Sequence, residues 1–146
     1  MEQSRKNLKI ASIVVLVFAG FSLLELVGEL LFGDLNQAAI PEGAGDNILM
    51  ITKIILIVVG LLCTIPQVYI GLKGLKVAKN PDSSRGHIIW GIILLAISAF
   101  GLISSLVEVF KQGNTFEDIS GVLSIVVEVC IFFEYVKYAK DVADGK

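Results

Sequence analysis

Histidine is nearly missing from this sequence, and much metal and acid–base chemistry goes missing with it. Only His87 occurs among the 146 residues. There is no HExxH, GxSxG or Walker-type phosphate loop, so the common metallopeptidase, hydrolase and nucleotide signatures are excluded. The two cysteines, Cys63 and Cys130, lie far apart. That spacing excludes a CxxC redox or zinc pair, and each reads as a small buried hydrophobe. His87 sits beside a basic loop and reads as a helix flank or headgroup contact. No enzyme activity, metal or cofactor is expected. Charge is scarce as well, at 18% of residues, against about 25% in soluble domains. The formal net charge is -2 and no basic footprint stands out, so no nucleic-acid partner is expected.

What the chain has in abundance is apolar sequence, at 55% of residues, collected into long runs. Four runs cover about 8–32, 48–72, 88–110 and 119–136. A run of about 20 apolar residues crosses a hydrocarbon core of about 30 Å as a helix. In lipid the backbone must satisfy its own hydrogen bonds, so each run reads as a helix. The predicted fold is all-α: a single membrane domain forming an antiparallel bundle of four transmembrane helices. The segments between runs suit connections. Gly33 to Asn47 carries Asp34, Pro41, Gly43 and Gly45, a turn-rich polar composition. Pro81 stops the second helix, and Ser84 is placed to cap the third. Lys111 to Asp118 reads as a short polar turn. Val17-Phe18-Ala19 passes as a weak signal-peptidase site, but the apolar run continues well beyond it, which favours an uncleaved span.

Lysine and arginine set the expected orientation. Arg5, Lys6 and Lys9 flank the first run; Lys73, Lys76, Lys79 and Arg85 surround the middle connection; Lys137, Lys140 and Lys146 follow the last. A four-span layout puts all three groups on one side, expected to be cytoplasmic in a cell (inner) membrane, together with both termini. Lys73, Lys76, Lys79 and Arg85 are candidate contacts for anionic lipid headgroups. Trp90, Tyr135 and Tyr138 read as aromatic anchors at that interface, and Glu134 as an interfacial ion-pair partner of Lys137.

Ionisable residues inside spans are costly and concentrate where function or packing needs them. The candidates are Glu25 and Glu29 in the first run, Lys53 in the second, Glu108 in the third and Glu128 in the fourth. Glu25 and Glu29, four apart, share a helix face. Lys53, Gly60, Thr64, Gln67, Gly71 and Gly74 trace one stripe along the second run. Gly91, Ser98, Ser105 and Glu108 trace another on the third, and Gly121, Ser124, Glu128 and Tyr135 a third on the fourth. Small residues let membrane helices approach closely, so these stripes are expected to face the bundle interior. The seam of Glu25, Glu29, Lys53, Gln67, Glu108 and Glu128 is the candidate ligand or ion site, with Lys53, Glu25 and Glu128 at converging depth in the outer half and Glu29 and Glu108 nearer the outer surface. Lys53 is expected to pair with Glu25 or Glu128. Pro66 is expected to kink the second helix.

Two functions compete. One is a small non-catalytic membrane protein acting through contacts with membrane lipid, with itself as a homo-oligomer, or with a larger membrane partner. The other is a small proton- or cation-linked transporter or channel, or an outward-facing ligand pocket, built on the Glu/Lys seam.

Overall fold

Runs of Ile, Leu, Val and Phe with so little internal punctuation satisfy their backbones as helices, and the computed structural model shows four. It describes residues 1–32, 45–81, 85–112 and 116–146. The helices are α1 (Glu2–Phe32), α2 (Asp46–Lys79), α3 (Gly86–Gln112) and α4 (Phe116–Ala143). Each contains a stretch long and apolar enough to cross a membrane. Helix α2 runs unbroken through Pro66. Ser84 and residues 33–44 lie outside the described residues.

The helices overrun the apolar runs, chiefly at one end of the bundle. Helix α1 begins at Glu2 instead of near Leu8, α2 continues to Lys79, and α4 continues to Ala143. The apolar run marks what lipid requires, whereas Lys, Arg, Ala and Glu sustain a helix equally well in water. At this end the chain crosses over itself. The Arg5 guanidinium donates to the backbone carbonyls of Ala78 and Lys79, which the end of α2 leaves without intrahelical partners. Arg85 pairs with Asp144 at 3.3 Å. The start of α1, the end of α2, the start of α3 and the end of α4 are therefore together, as up-and-down topology requires.

Helix α1 packs on α2 and on α4, and α4 packs on α3; α2 meets α3 only lightly. Burial is confined to the end just described. The buried apolar residues are Leu8, Ala11, Val15 and Ala19 of α1, Ile70, Val77 and Ala78 of α2, Ile88 and Leu94 of α3, and Phe132, Tyr135, Ala139 and Val142 of α4. Only Ala19, just past the middle of α1, lies in the opposite half of its helix. The bundle is tightly closed at one end and more open at the other, where α1 and α2 still meet with Leu26 over Gly60.

Glycine explains the closed end. A Cβ on Gly71 would meet Leu16 at 2.5 Å, and one on Gly74 would run into the Ser12 hydroxyl and the Tyr135 ring. One on Gly91 would meet Val136 at 3.0 Å. Bare backbone at these positions lets α1, α2, α3 and α4 converge. The Tyr135 hydroxyl donates to the Ile70 carbonyl at 2.7 Å, and the Ser12 hydroxyl turns back to the Leu8 carbonyl at 2.7 Å.

Four local expectations are corrected here. Tyr135 is no interfacial anchor, because it is fully buried and crosses from α4 to α2. His87 is no headgroup contact, since it too is fully buried, edge-on to the Tyr135 ring with centroids 6.3 Å apart. Cys63 and Cys130 are both exposed, free thiols, and not core hydrophobes. Glu134 accepts from the Tyr138 hydroxyl, while the Lys137 ammonium lies 5.4 Å over the Tyr138 ring, so the expected ion pair gives way to an aromatic bridge.

Crowding at Gly74 makes a direct prediction. Gly74→Ala overpacks the closed end and lowers stability by about 1–3 kcal/mol. Gly101, where nothing lies within 4 Å of an added Cβ, responds oppositely, because Ala is the better helix former by up to about 1 kcal/mol. Thermal unfolding of the two variants in detergent checks the contrast.

Candidate functional site

In the other half of the bundle an open cleft of about 380 Å³ lies between α1, α2 and α4, with Glu25, Glu29, Cys63 and Ser124 exposed along it. Its lining mixes apolar walls, among them Phe18, Leu26, Leu56 and Val59, with Ser22, Glu25, Glu29, Cys63, Thr64, Gln67, Ser124 and Glu128. Four of the six seam residues predicted from sequence thus face one space: Glu25, Glu29, Gln67 and Glu128. Glu108 and Lys53 do not line it. Both are exposed.

The register of the helices sets the depth of each group. Gly74 of α2, Ser12 of α1 and Tyr135 of α4 mark one level. Gln67 and Glu128 each lie seven positions toward the open end, about 10 Å along the axis, so they face each other at the cavity floor. Ser98 of α3 is at this level too, and its hydroxyl donates to the Glu128 carboxylate. From the same floor, Glu25 is about 9 Å higher and Glu29 about 15 Å higher. Glu108 is level with Glu29, and Lys53 stands about 21 Å above the floor.

That ladder corrects two expectations. The groups do not share one depth, because the helices have different lengths and are staggered. Lys53 pairs with neither Glu25 nor Glu128: it sits beyond the mouth, with no ion partner among the described residues. The carboxylates are consequently not neutralised by the one cation in the seam.

The polar groups lining the cavity are dominated by acceptors. The Thr64 hydroxyl spends its proton on the Gly60 carbonyl at 2.8 Å, leaving oxygen lone pairs. Gln67 is only 5% exposed, and its Oε1 has no hydrogen-bond partner. A buried acceptor left unmade costs about 1–3 kcal/mol, and such groups ordinarily find a partner. No lysine, arginine or histidine contributes to the wall. The Ser22 and Ser124 hydroxyls and the Gln67 amide can donate, so what the wall lacks is positive charge.

The floor is sealed toward the closed end. Leu16 lies over Gly71, and below it the Tyr135 hydroxyl holds α4 to α2. Among the described residues no group of three His, Cys, Asp or Glu side chains is close enough to hold a metal ion, which follows from carboxylates stacked at separate heights. Sequence reasoning missed Cys63 as a cavity residue and Tyr135 as the element of closure. Tyr135 stood on the right stripe, but only the register reveals that it stands on Gly74.

At the closed end, Lys76, Lys79 and Arg85 are exposed and Lys73 is half-buried. A second basic recess, lined by Arg5, Lys6 and Lys9 with Ala78 at its back, adjoins them. Compared with known protein families, curated proteins and solved structures, the chain matches none.

Proposed function

We propose that this chain is a small integral membrane protein that takes a cation into a pocket open toward the outside of the cell, and that it works as a carrier. The observation that carries this reading is a cleft lined by the three carboxylates Glu25, Glu29 and Glu128 with no lysine, arginine or histidine in its wall. A protein working through surface contacts alone has no use for three carboxylates around a space of this size. Packed interhelical hydrogen bonding would have left Gln67 satisfied.

Membrane insertion is supported by the outer surface. Phe21, Leu24, Leu62, Ile93, Phe100 and Phe133 are among many large apolar residues exposed on all four helices, far more than a water-soluble surface tolerates. The basic residues gathered at the closed end support an inside position for that end, and with it both termini in the cytoplasm. The open end then faces outward, and the closed end is the barrier that keeps the cavity from being a pore. A carrier needs that barrier to yield when loaded. The glycine contacts of Gly71 and Gly74 are small enough to slide.

Glu128 and Gln67 separate function from architecture. In proteoliposomes, Glu128→Gln is expected to abolish saturable uptake of radiolabelled small cations while leaving the folded protein intact by size exclusion. Uptake that survives the substitution rejects the assignment. Gln67→Leu removes the orphaned acceptor, so it should raise the unfolding temperature and weaken cation binding together. A variant that is both less stable and unchanged in binding would make Gln67 packing only.

Lipid is a second partner, favoured by the exposed lysines. Binding to anionic vesicles should weaken by about 1 kcal/mol for each of Lys76 and Lys79 changed to Gln, read by vesicle co-sedimentation against neutral vesicles. Equal affinity for both vesicle types would remove lipid charge from the account.

A further inference from the structure

Away from the acidic cleft, a groove of about 340 Å³ runs between α1 and α4 toward the closed end. Ile10, Val14, Cys130 and Ile131 form its apolar length, and Ile10, Val14 and Cys130 are exposed, so it opens sideways to lipid. Asn7, Glu134 and Tyr138 stand at one end of it, where the first apolar run begins and the fourth stops. From Cys130 to Tyr138 it follows two turns of α4, about 12 Å along the axis. Apolar depth below a polar mouth matches a lipid chain under its headgroup.

The mouth is chemically specific. Hydrogen bonds there run in one direction. The Gln3 amide donates to the Asn7 side-chain oxygen at 3.2 Å, Asn7 bonds the Tyr138 hydroxyl, and Tyr138 donates to the Glu134 carboxylate. Glu134 ends the chain as an acceptor. A carboxylate has about four acceptor positions, and Tyr138 fills one. Glu134 is half-buried and forms no ion pair among the described residues, since the Lys137 ammonium lies over the Tyr138 ring instead. Lys137 is exposed, and so is Lys6, one turn above Ile10 on the same face of α1. A carboxylate open to donors thus stands between two cations at the end of an apolar groove.

The geometry points to an aminophospholipid as the occupant, with an acyl chain in the groove, its ammonium on Glu134 and its phosphate toward Lys6 and Lys137. A primary ammonium brings three donors. A choline headgroup carries the same charge without an N–H, and a purely anionic headgroup offers Glu134 no cation. Such a site needs insertion in a bilayer and nothing from the acidic cleft, so it stands or falls apart from the cation carrier.

Native mass spectrometry tests this. The full chain is released from nanodiscs holding equal parts of phosphatidylethanolamine, its N-methyl and N,N-dimethyl derivatives, phosphatidylcholine and phosphatidylglycerol, all with matched acyl chains, and the retained lipids are identified by mass. The first three keep an N–H, and choline does not. The expected result is a step: those three are retained equally, and phosphatidylcholine about tenfold less, the scale of one charge-assisted hydrogen bond. Glu134→Gln, which keeps the side chain's size, removes the step. Cys130→Trp fills the groove and lowers retention of all three; Val14→Phe does the same should the first variant fail to fold. A graded decline with headgroup size, equal retention of all five lipids, or preference for phosphatidylglycerol overturns the assignment. So does a step that survives Glu134→Gln, or retention untouched by a folded groove-filling variant.

Discussion

Everything in this bundle is referred to one contact, the seat of the Tyr135 ring on Gly74. Glycine has no side chain to keep α4 away from α2, and the ring fills the space that any other residue would occupy. The hydroxyl then reaches the Ile70 carbonyl, one turn along the same helix. Ser12 of α1 comes to the same point, so a single level ties three helices. Helices are stiff rods with a fixed rise, and once one level is set, every other height follows. The meeting of Gln67 with Glu128, and the staggered heights of Glu25 and Glu29, are consequences of where an aromatic ring rests.

The two halves of the molecule obey different physics. At the closed end, small and aromatic residues interlock, and polar groups are spent on backbone carbonyls. Toward the other end fewer side chains are buried, and the stripes carry Glu, Thr, Gln and Ser where packing would call for Ala or Leu. Helices in lipid gain little from hiding apolar surface, because the surrounding chains are equally apolar. Close approach must therefore come from shape, and where the shape is missing the helices part. The space between them is polar because the residues that face it are polar, and it is acidic because no lysine, arginine or histidine lines it.

Much of the fold was legible in the sequence. Apolar length announced four helices, and the stripes of small residues led to buried positions at Gly71, Gly74, Gly91 and Ser98, whereas Gly121 and Ser124 on α4 are exposed. The helix ends were not legible from hydropathy, since Lys73 to Lys79 and Lys137 to Ala143 stay helical without being apolar. The site was half legible. Residue type and periodicity picked out Glu25, Glu29, Gln67 and Glu128, which depend only on facing inward. Lys53 and Glu108 lie on the same stripes but are exposed and stand outside the cleft: depth is a relation between helices, and a sequence taken helix by helix contains no stagger. The burial of His87 was hidden for the same reason: beside a basic loop it resembled a surface residue, and only the descent of Tyr135 across α2 encloses it.

The hold of Arg5 on the carbonyls of Ala78 and Lys79 bears on the order in which the molecule is made. Those partners lie at opposite ends of the α1–α2 hairpin, which is also the most extensive helix pair in the bundle. Both ends are available as soon as α2 has left the ribosome, before any of α3 exists. The clasp can shut on a half-built chain, pinning two helices in register while the translation machinery still works on the rest. Helices α3 and α4 then arrive as a second pair against a fixed template, with Tyr135 finding Gly74 already in place.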